Sequence, residues 1–151
     1  MKYLVLAALA AVGVASAGAA FAQGNEAAER RAGFREVGQH MEAIGAAVQA
    51  RADQRQLVAR VDQMSAFFRT LPDRVPVASL TPPVTRGTQD GQTRALAAID
   101  DNRAGFAERN QAMLASLVTL RGAAEAGTIG PDMLRSTGGS CGACHQAYRA
   151  R

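Results

Sequence analysis

The sequence predicts an all-α fold, an antiparallel four-helix bundle, and three observations support this prediction. Apolar residues recur every three or four positions in four segments, which is the period of a helix with one buried face. Glycine and proline separate the segments, and no convincing strand precedes the last one. The chain has no Trp and only 5% aromatic residues, a composition that suits helices packed closely around small side chains.

The segments predict four helices and one long connection. The helices cover about 26–52, 53–70, 92–124 and 131 onwards, and the connection at 71–92 contains four prolines. Pro131 suits the first position of a helix, and the turn after the first helix is short enough to require an antiparallel pair. The inward residues of the first two helices are Phe34, Val37, Met41, Ile44 and Val48, followed by Leu57, Val61, Met64, Phe68 and Leu71.

Residues 1–22 have the pattern of an export signal. Lys2 provides the charged region, residues 4–14 are apolar, and the stretch ends at Ala22 in the small-x-small pattern that signal peptidase reads. The alternative is a membrane anchor, but the apolar run is short and rich in weakly hydrophobic alanine and glycine. We therefore expect cleavage near Ala22, a mature domain at 23–151, a bacterial periplasmic location and no stable membrane anchor.

The charge of the chain is carried by arginine. Seventeen basic and 13 acidic residues give a formal net charge of +4. The arginines are spread along every segment without a basic stripe interleaved with aromatic residues, so we expect no nucleic-acid partner. A modest positive surface would favour docking of an anionic redox partner protein.

The C-terminal segment contains the motif that points to a cofactor. Cys141 to His145 reads C-x-x-C-H, the attachment pattern of a c-type haem. Two thiols three residues apart on a helix lie on one face, where both can form thioether bonds with the vinyl groups of one haem. His145, which follows Cys144 directly, would then be an axial ligand of the iron, as histidine commonly is. No other cysteine is present, so we expect one covalent haem c per chain, attached to the C-terminal helix.

Three other interpretations of the cysteine pair remain open. A thioredoxin-like dithiol would need a βαβ context, and a haem-free thiol–disulfide protein is therefore the remote alternative. A zinc site needs four ligands, and His40 is the only further strong nitrogen donor. A structural disulfide is disfavoured because a three-residue spacing inside a helix has poor geometry for one. The position of the motif and the export signal favour haem.

Some residues interrupt the inward stripes. Gly38 and Gly45 lie near the first stripe and would permit close approach of another helix or of the haem. Arg103 and Asn110 occupy the stripe of the third helix, where we expect them to flank the core and reach solvent. Arg103 would alternatively face a buried acid or a haem propionate. The 71–92 connection is expected to cover the haem edge.

The mature chain resembles the cytochrome c prime family, four-helix-bundle c-type cytochromes with a C-terminal haem. One matching segment is Cys-x-x-Cys-His-x-x-Tyr-Arg at 141–149, and the other is Arg-x-x-x-Phe-x-x-x-Gly at 30–38. The second fits the family's Arg-x-x-x-(Met or Leu)-x-x-x-Gly pattern without a gap. The match is weak between about 71 and 105, and a tryptophan often found before the phenylalanine of the third helix is absent.

The resemblance implies roles for three more residues. Arg30 corresponds to an arginine that pairs with a haem propionate, which a guanidinium can contact at two points. Phe34 corresponds to the residue over the distal face of the iron, which is Met in electron carriers and apolar in gas-binding members. Arg149 corresponds to an arginine near the proximal face. The family also includes homodimers formed through the first two helices.

A phenyl ring cannot bind iron, so the sixth position should be open but crowded. An apolar pocket of this kind would favour NO, and CO more weakly, over dioxygen. We therefore expect a periplasmic haem protein, not an enzyme, that binds NO or CO and can transfer one electron. The alternative is a six-coordinate, low-spin electron carrier whose ligand is Met41 or His40. Met41 lies about 10.5 Å from Phe34 along the helix axis, so both cannot cover one iron.

Overall fold

The structure is a computed structural model that describes the backbone of residues 15–80 and 93–150, and the side chains of 26–80 and 93–150. Within these ranges the predicted four-helix bundle is confirmed. Its helices are α1 (Ala15–Gln49), α2 (Val58–Thr70), α4 (Arg103–Ala126) and α5 (Pro131–Tyr148), with a single helical turn, α3 (Ala98–Asp101), before α4.

The first and second helices both begin at residues that differ from the predicted bounds. Helix α1 begins at Ala15 and continues through the predicted cleavage site at Ala22, while residues 1–14 of the predicted export signal lie outside the described residues. The second helix begins with a 3-10 turn, Gln54–Leu57, and becomes α-helical only at Val58. Asp53 caps this turn because its carboxylate accepts a hydrogen bond of 3.1 Å from the backbone N–H of Arg55.

The third helix is shorter than the predicted 92–124 segment. Ala95 forms an isolated antiparallel bridge with Arg149, so the chain is not helical there. Helix α4 then begins after Asn102, whose side chain accepts a hydrogen bond of 2.9 Å from the backbone N–H of Gly105. Periodicity did not reveal this start because the residues before it keep the apolar spacing of a helix.

The turns at one end of the bundle are joined. Helix α4 ends at Gly127, which adopts the left-handed conformation (φ 71°) that glycine accepts without strain. The side chain of Gln54 donates to the carbonyl of Ile129 at 3.1 Å and accepts from the Ile129 N–H at 2.6 Å. The α1–α2 and α4–α5 turns therefore lie at the same end, as an antiparallel bundle requires.

The connection after α2 is folded against α1. It forms 3-10 turns at Leu71–Arg74 and Val77–Ser79, while residues 81–92, with two of the four prolines, lie outside the described residues. Arg30 of α1 is 3% exposed and holds this segment. Its Nη1 donates to the Arg74 carbonyl (2.6 Å) and Ser79 Oγ (2.8 Å), and its Nη2 to the Ser79 carbonyl (3.1 Å) and Thr93 Oγ1 (2.9 Å). One guanidinium thus fixes both flanks of residues 81–92.

The core contains most of the predicted inward residues, with one exception. Met64, Leu117 and Leu120 are fully buried where α2 and α4 meet, together with Ile44 of α1. Phe34, in contrast, is 39% exposed. It lines the cavity described below, together with Val37 and Met41 of the same stripe.

One expectation for the third helix was wrong. Asn110 does not reach solvent: it is buried, and its Nδ2 donates at 2.9 Å to the Phe68 carbonyl, which also accepts from the Leu71 N–H. Within the described residues its Oδ1 has no hydrogen-bond partner. Arg103 flanks the core and reaches solvent as expected, since its side chain is 40% exposed; it pairs with Asp100 at 3.0 Å and donates to the Val75 carbonyl at 2.7 Å. Asp100 is itself exposed, so the alternative of a buried acid finds no support.

No helix in the described ranges combines the length and the apolar character needed to cross a lipid bilayer.

Helices α1 and α2 approach each other closely at Gly33, which the sequence pattern did not identify. A Cβ built on Gly33 would lie 2.5 Å from Cδ2 of Phe67, whereas one built on Gly38 or Gly45 would meet nothing within 4 Å. Gly38 instead lines the cavity described below. The helices therefore need a glycine at 33 and not at 45.

This difference predicts opposite effects of the same substitution. Gly45→Ala should raise the free energy of unfolding by about 1 kcal/mol, because alanine is the better helix former and open space surrounds the site. Gly33→Ala should lower it by about 1 kcal/mol, because the overpacking cost of displacing the Phe67 ring exceeds that gain. Chemical denaturation of the two variants and the parent measures both; equal stabilisation by both would contradict the close approach.

Candidate cofactor site

A cavity of about 650 Å³ lies between α1, α2, α4 and α5 and opens to solvent. This volume is in the range of cofactor and ligand pockets. The α5 wall carries Cys141, Cys144 and His145, and Phe34 stands on the α1 wall. Most of the remaining wall is apolar and includes Met41, Phe68, Leu71, Ile99, Phe106 and Met113.

Helix α5 is fixed in the orientation that turns its motif toward the cavity. It starts with Pro131, and midway Thr137 is buried against α4, where it accepts a hydrogen bond of 3.2 Å from Ser116. Near its end Tyr148 is buried in edge-to-face contact with Phe106, with ring centroids 5.4 Å apart. The Tyr148 carbonyl also accepts a hydrogen bond of 3.0 Å from the Leu96 N–H. Tyr148 therefore packs in the core.

The two thiols are free and half-buried. Burial raises the pKa of both Cys141 and Cys144, so both are thiols and not thiolates at neutral pH. They do not form a disulfide with each other. The pair therefore lacks the thiolate activation that a redox dithiol requires.

His145 has the protonation state that a metal requires. Partial burial, and then the positive charge of Arg149, lower the pKa of its imidazole. The neutral ring, which keeps a lone pair for a metal ion, is thus favoured at neutral pH. Its neighbours support a role as a ligand and not as a cationic surface residue.

Phe34 and His145 face each other across the cavity. Their ring centroids are 6.4 Å apart, with an interplanar angle of 69°. Packing against a phenyl face takes about 3.5 Å, and a histidine nitrogen lies about 2.0 Å from a metal ion that it binds. The spacing therefore suits a single planar metal group between the two rings.

Six arginines line the cavity, and no carboxylate does so within the described residues; they are Arg30, Arg31, Arg35, Arg94, Arg109 and Arg149. Four other arginines form ion pairs outside the cavity; they are Arg55, Arg103, Arg121 and Arg135. The cavity lining carries an excess of positive charge, which suits a cofactor with two carboxylates. In the sequence the arginines are spread along every segment. The one sequence feature that indicates their clustering in space is the repetition of Arg at positions 30, 31 and 35.

The structure brings together five of the six candidate residues without changing their expected setting. Cys141, Cys144, His145 and Phe34 meet as described, and Arg149, exposed just after α5, lines the same cavity. Arg30 also lines it, but all four N–H groups of its Nη1 and Nη2 already bond to protein oxygens. A two-point contact with a carboxylate would have to replace some of these bonds.

The two alternative iron ligands are placed differently. Met41 is half-buried and lines the cavity two turns beyond Phe34. His40 lies outside the lining, with its Nδ1 3.4 Å from Nη1 of Arg60 on the α1–α2 flank. His40 therefore lies on the flank of the α1–α2 pair and not in the cavity.

The other interpretations of the motif find no support. No group of three His, Cys, Asp or Glu side chains in the described part of the chain is arranged to hold a metal ion, as a zinc site would require. The described segments before Cys141 contain no β-strand for a thioredoxin-like motif. A haem fits the cavity by its volume, by the neutral imidazole and paired thiols on one wall, and by its positive lining.

Comparison with known proteins agrees with this fit. The chain matches the family model for cytochrome c′ over residues 25–149. Among curated protein sequences none is significantly similar to it. Two solved structures are similar: a cytochrome c′ with an unusual ligand-controlled dimer dissociation (TM-score 0.67) and the cytochrome c′ from Thermochromatium tepidum (TM-score 0.65). Each is 20% identical and matches 85% of this chain and 97% of its own, and at this identity the likeness concerns the fold.

The family model spans nearly the whole described chain and includes all of the haem-attachment motif at 141–145. The chain therefore belongs to the cytochrome c′ family, and its cofactor is a covalently bound haem c.

Proposed function

We propose that this protein is an exported, periplasmic haem protein that binds NO or CO and exchanges single electrons, and that it is not an enzyme. Cys141 and Cys144 would form the thioether bonds, and His145 would be the axial ligand. The haem iron supplies reversible gas binding and a one-electron couple. The chain supplies the attachment, the electrostatic environment and the access route.

The observation that carries this proposal is the position of Phe34. The centroid of its ring lies 6.4 Å from that of His145, and both residues line the cavity that also contains Cys141 and Cys144. A hydrocarbon ring has no lone pair to offer a metal, so Phe34 would leave the iron without a second protein ligand. The ring also leaves little room there, and the apolar wall around it favours a small neutral ligand over dioxygen.

The arginine lining supports a role in holding the haem carboxylates and an acidic redox partner. Arg30 would act on the carboxylates through its buried charge, since its Nη groups are already bonded. Arg149 is exposed at the rim and would restrict the His145 side. Burial lowers the pKa of Arg30, but a guanidinium remains charged at every physiological pH.

The second candidate function, a six-coordinate electron carrier, rests on Met41, which also lines the cavity. A ligand role for Met41 would require the haem to be shifted along α1 by about two turns relative to Phe34. The closeness of the Phe34 and His145 rings favours the first candidate, the gas-binding haem protein.

We also propose that two copies associate through α1 and α2. The structural relative with ligand-controlled dimer dissociation motivates this assembly. The exported, mature form would begin at Gln23, so α1 would be shortened at its N-terminus in the assembled protein.

The first prediction concerns covalent structure and assembly, and mass spectrometry of the periplasmic protein measures both. Under denaturing conditions the expected mass is that of residues 23–151 plus one haem, and under native conditions it is twice that value. A Cys141→Ala, Cys144→Ala double variant should carry no covalent haem. Retention of residues 1–22 would contradict the export proposal, and a native monomer at micromolar concentration would contradict the dimer.

The second prediction concerns the open coordination position. The ferric and ferrous proteins should have high-spin visible spectra, and addition of NO should shift the Soret band. Phe34→Met should give a low-spin spectrum with a weaker response to NO, because a thioether sulfur would reach the iron. Met41→Leu is the matched control and should leave the spectrum high-spin. A low-spin wild type that Met41→Leu converts to high spin would establish the electron-carrier alternative instead.

The third prediction concerns the buried charge of Arg30. Loss of a positive charge near the iron disfavours the reduced state, so Arg30→Met should lower the reduction potential. Arg30→Lys should lower it less, although both variants lose stability because a lysine cannot make the four Nη hydrogen bonds. Arg135→Met, an exposed arginine outside the cavity lining, provides the control in redox titrations. Equal potentials for Arg30→Met and Arg135→Met would argue against a role toward the carboxylates.

A further inference from the structure

We propose that Phe67 is a positioning residue that holds Phe34 over the ligand side of the cavity and thereby sets the rate at which gas reaches the iron. Gly33 provides the space that Phe67 needs. This inference rests on the proposed gas-binding function and adds a device that controls it.

Three aromatic rings form a cluster where α1 meets α2. The ring centroids are 4.9 Å apart for Phe34 and Phe67, 6.2 Å for Phe34 and Phe68, and 5.4 Å for Phe67 and Phe68. All three pairs are edge-to-face, with interplanar angles of 73° to 74°. This is the favoured arrangement of aromatic pairs. Phe34 therefore has its shortest ring contact with Phe67.

Phe34 lines the cavity, and its ring contacts two rings of α2 as well as the His145 ring. Of these contacts, the one with Phe67 is the shortest. Loss of an α2 contact would weaken the packing that holds the Phe34 ring in place.

Phe67 and Phe68 have different parts in the cluster. Phe68 is 6% exposed, lines the cavity and belongs to the core. Phe67 is half-buried and lies outside the cavity lining. A change at Phe67 therefore acts on the cavity through the two rings that it contacts, Phe34 and Phe68, of which Phe34 is the nearer and Phe68 is held by the core.

The seat of the Phe67 ring is formed by two other residues. On α1, Gly33 lets the ring approach so closely that a Cβ would lie 2.5 Å from Cδ2. On the following segment, the Arg74 guanidinium lies 6.0 Å above the ring, at the outer limit of a cation–π contact. The carbonyl of Arg74 accepts a hydrogen bond from Arg30. Arg30 therefore also helps to hold the segment that packs on the Phe67 ring.

The spacing of Phe34 and His145 suits a planar group and would leave little room for a further ligand. Gas binding would therefore require the Phe34 ring to move outward. That movement separates Phe34 from Phe67. Loss of one aromatic pair should therefore raise the population of the outward ring, and with it the association rate, by about two- to tenfold.

The experiment measures CO association with the ferrous holoprotein by flash photolysis. Phe67→Leu keeps an apolar side chain of similar length but removes the ring, and should bind CO about two- to tenfold faster than wild type. Gly33→Ala reaches the same ring from α1 and should act in the same direction. Val118→Ala is the control: Val118 is 70% exposed on α4 and should leave the rate unchanged.

A second readout needs no gas. Thermal unfolding of the ferric holoprotein is measured for Phe34→Leu, Phe67→Leu and the double variant. If the rings hold each other, the double variant loses less stability than the two single losses combined. Additive losses would overturn the contact on which the inference depends.

The rates separate failure of this inference from failure of the proposed function. Phe34→Ala should accelerate CO binding whatever the role of Phe67. Faster binding by Phe34→Ala, together with a Phe67→Leu rate equal to that of Val118→Ala, would overturn the positioning role and leave the proposed function standing. A wild-type protein that does not bind CO would overturn both.

Discussion

The buried guanidinium of Arg30 is the interaction on which the arrangement of the cavity depends. A charge withdrawn from water is costly unless strong hydrogen bonds replace its hydration, and here four oxygens from three positions do so. Because Arg30 lies one helical turn before Phe34, the same bonds fix the part of α1 that carries the ring facing His145. The hydrogen bonds of Arg30 therefore connect the part of α1 that carries Phe34 to the segment after α2 and to Thr93.

The cavity itself results from an imbalance in the bundle. Large apolar residues such as Met64, Leu117 and Leu120 are fully buried between the helices. Around the α5 motif, the side chains that face inward line the cofactor site instead. A bundle with few aromatic residues of its own can leave this space because a haem supplies the apolar area that completes the core.

The cavity has two walls that are packed differently. The α5 wall carries Cys141, Cys144 and His145, and Thr137 and Tyr148 hold this helix against α4. On the α1 wall, the Phe34 ring makes edge-to-face contacts with rings of α2, and each such pair contributes only about 0.5–1.5 kcal/mol. Under the proposed function, the α5 wall would hold the haem and the α1 wall would limit access to it.

Much of the site could be predicted because its chemistry is local in sequence. The spacing of Cys141, Cys144 and His145 places all three on one helix face, and a phenyl group at position 34 cannot bind a metal in any fold. The helices were likewise predictable from the period of their apolar residues. Their ends were less so, since the 93–102 segment keeps a helical spacing but is shaped by the bridge to Arg149 and the capping side chain of Asn102.

The sequence by itself determined the fold class, the identity of the cofactor and the presence at position 34 of a side chain that cannot bind a metal. Only the tertiary structure decided which residues surround them. Six arginines that are dispersed along the chain converge on one cavity, Asn110 turns inward to cap the Phe68 carbonyl, and Gly33 rather than Gly45 marks the close approach of α1 and α2. The physical reason is that periodicity specifies which face of a helix is buried, whereas the rotation and crossing of packed helices specify what that face meets.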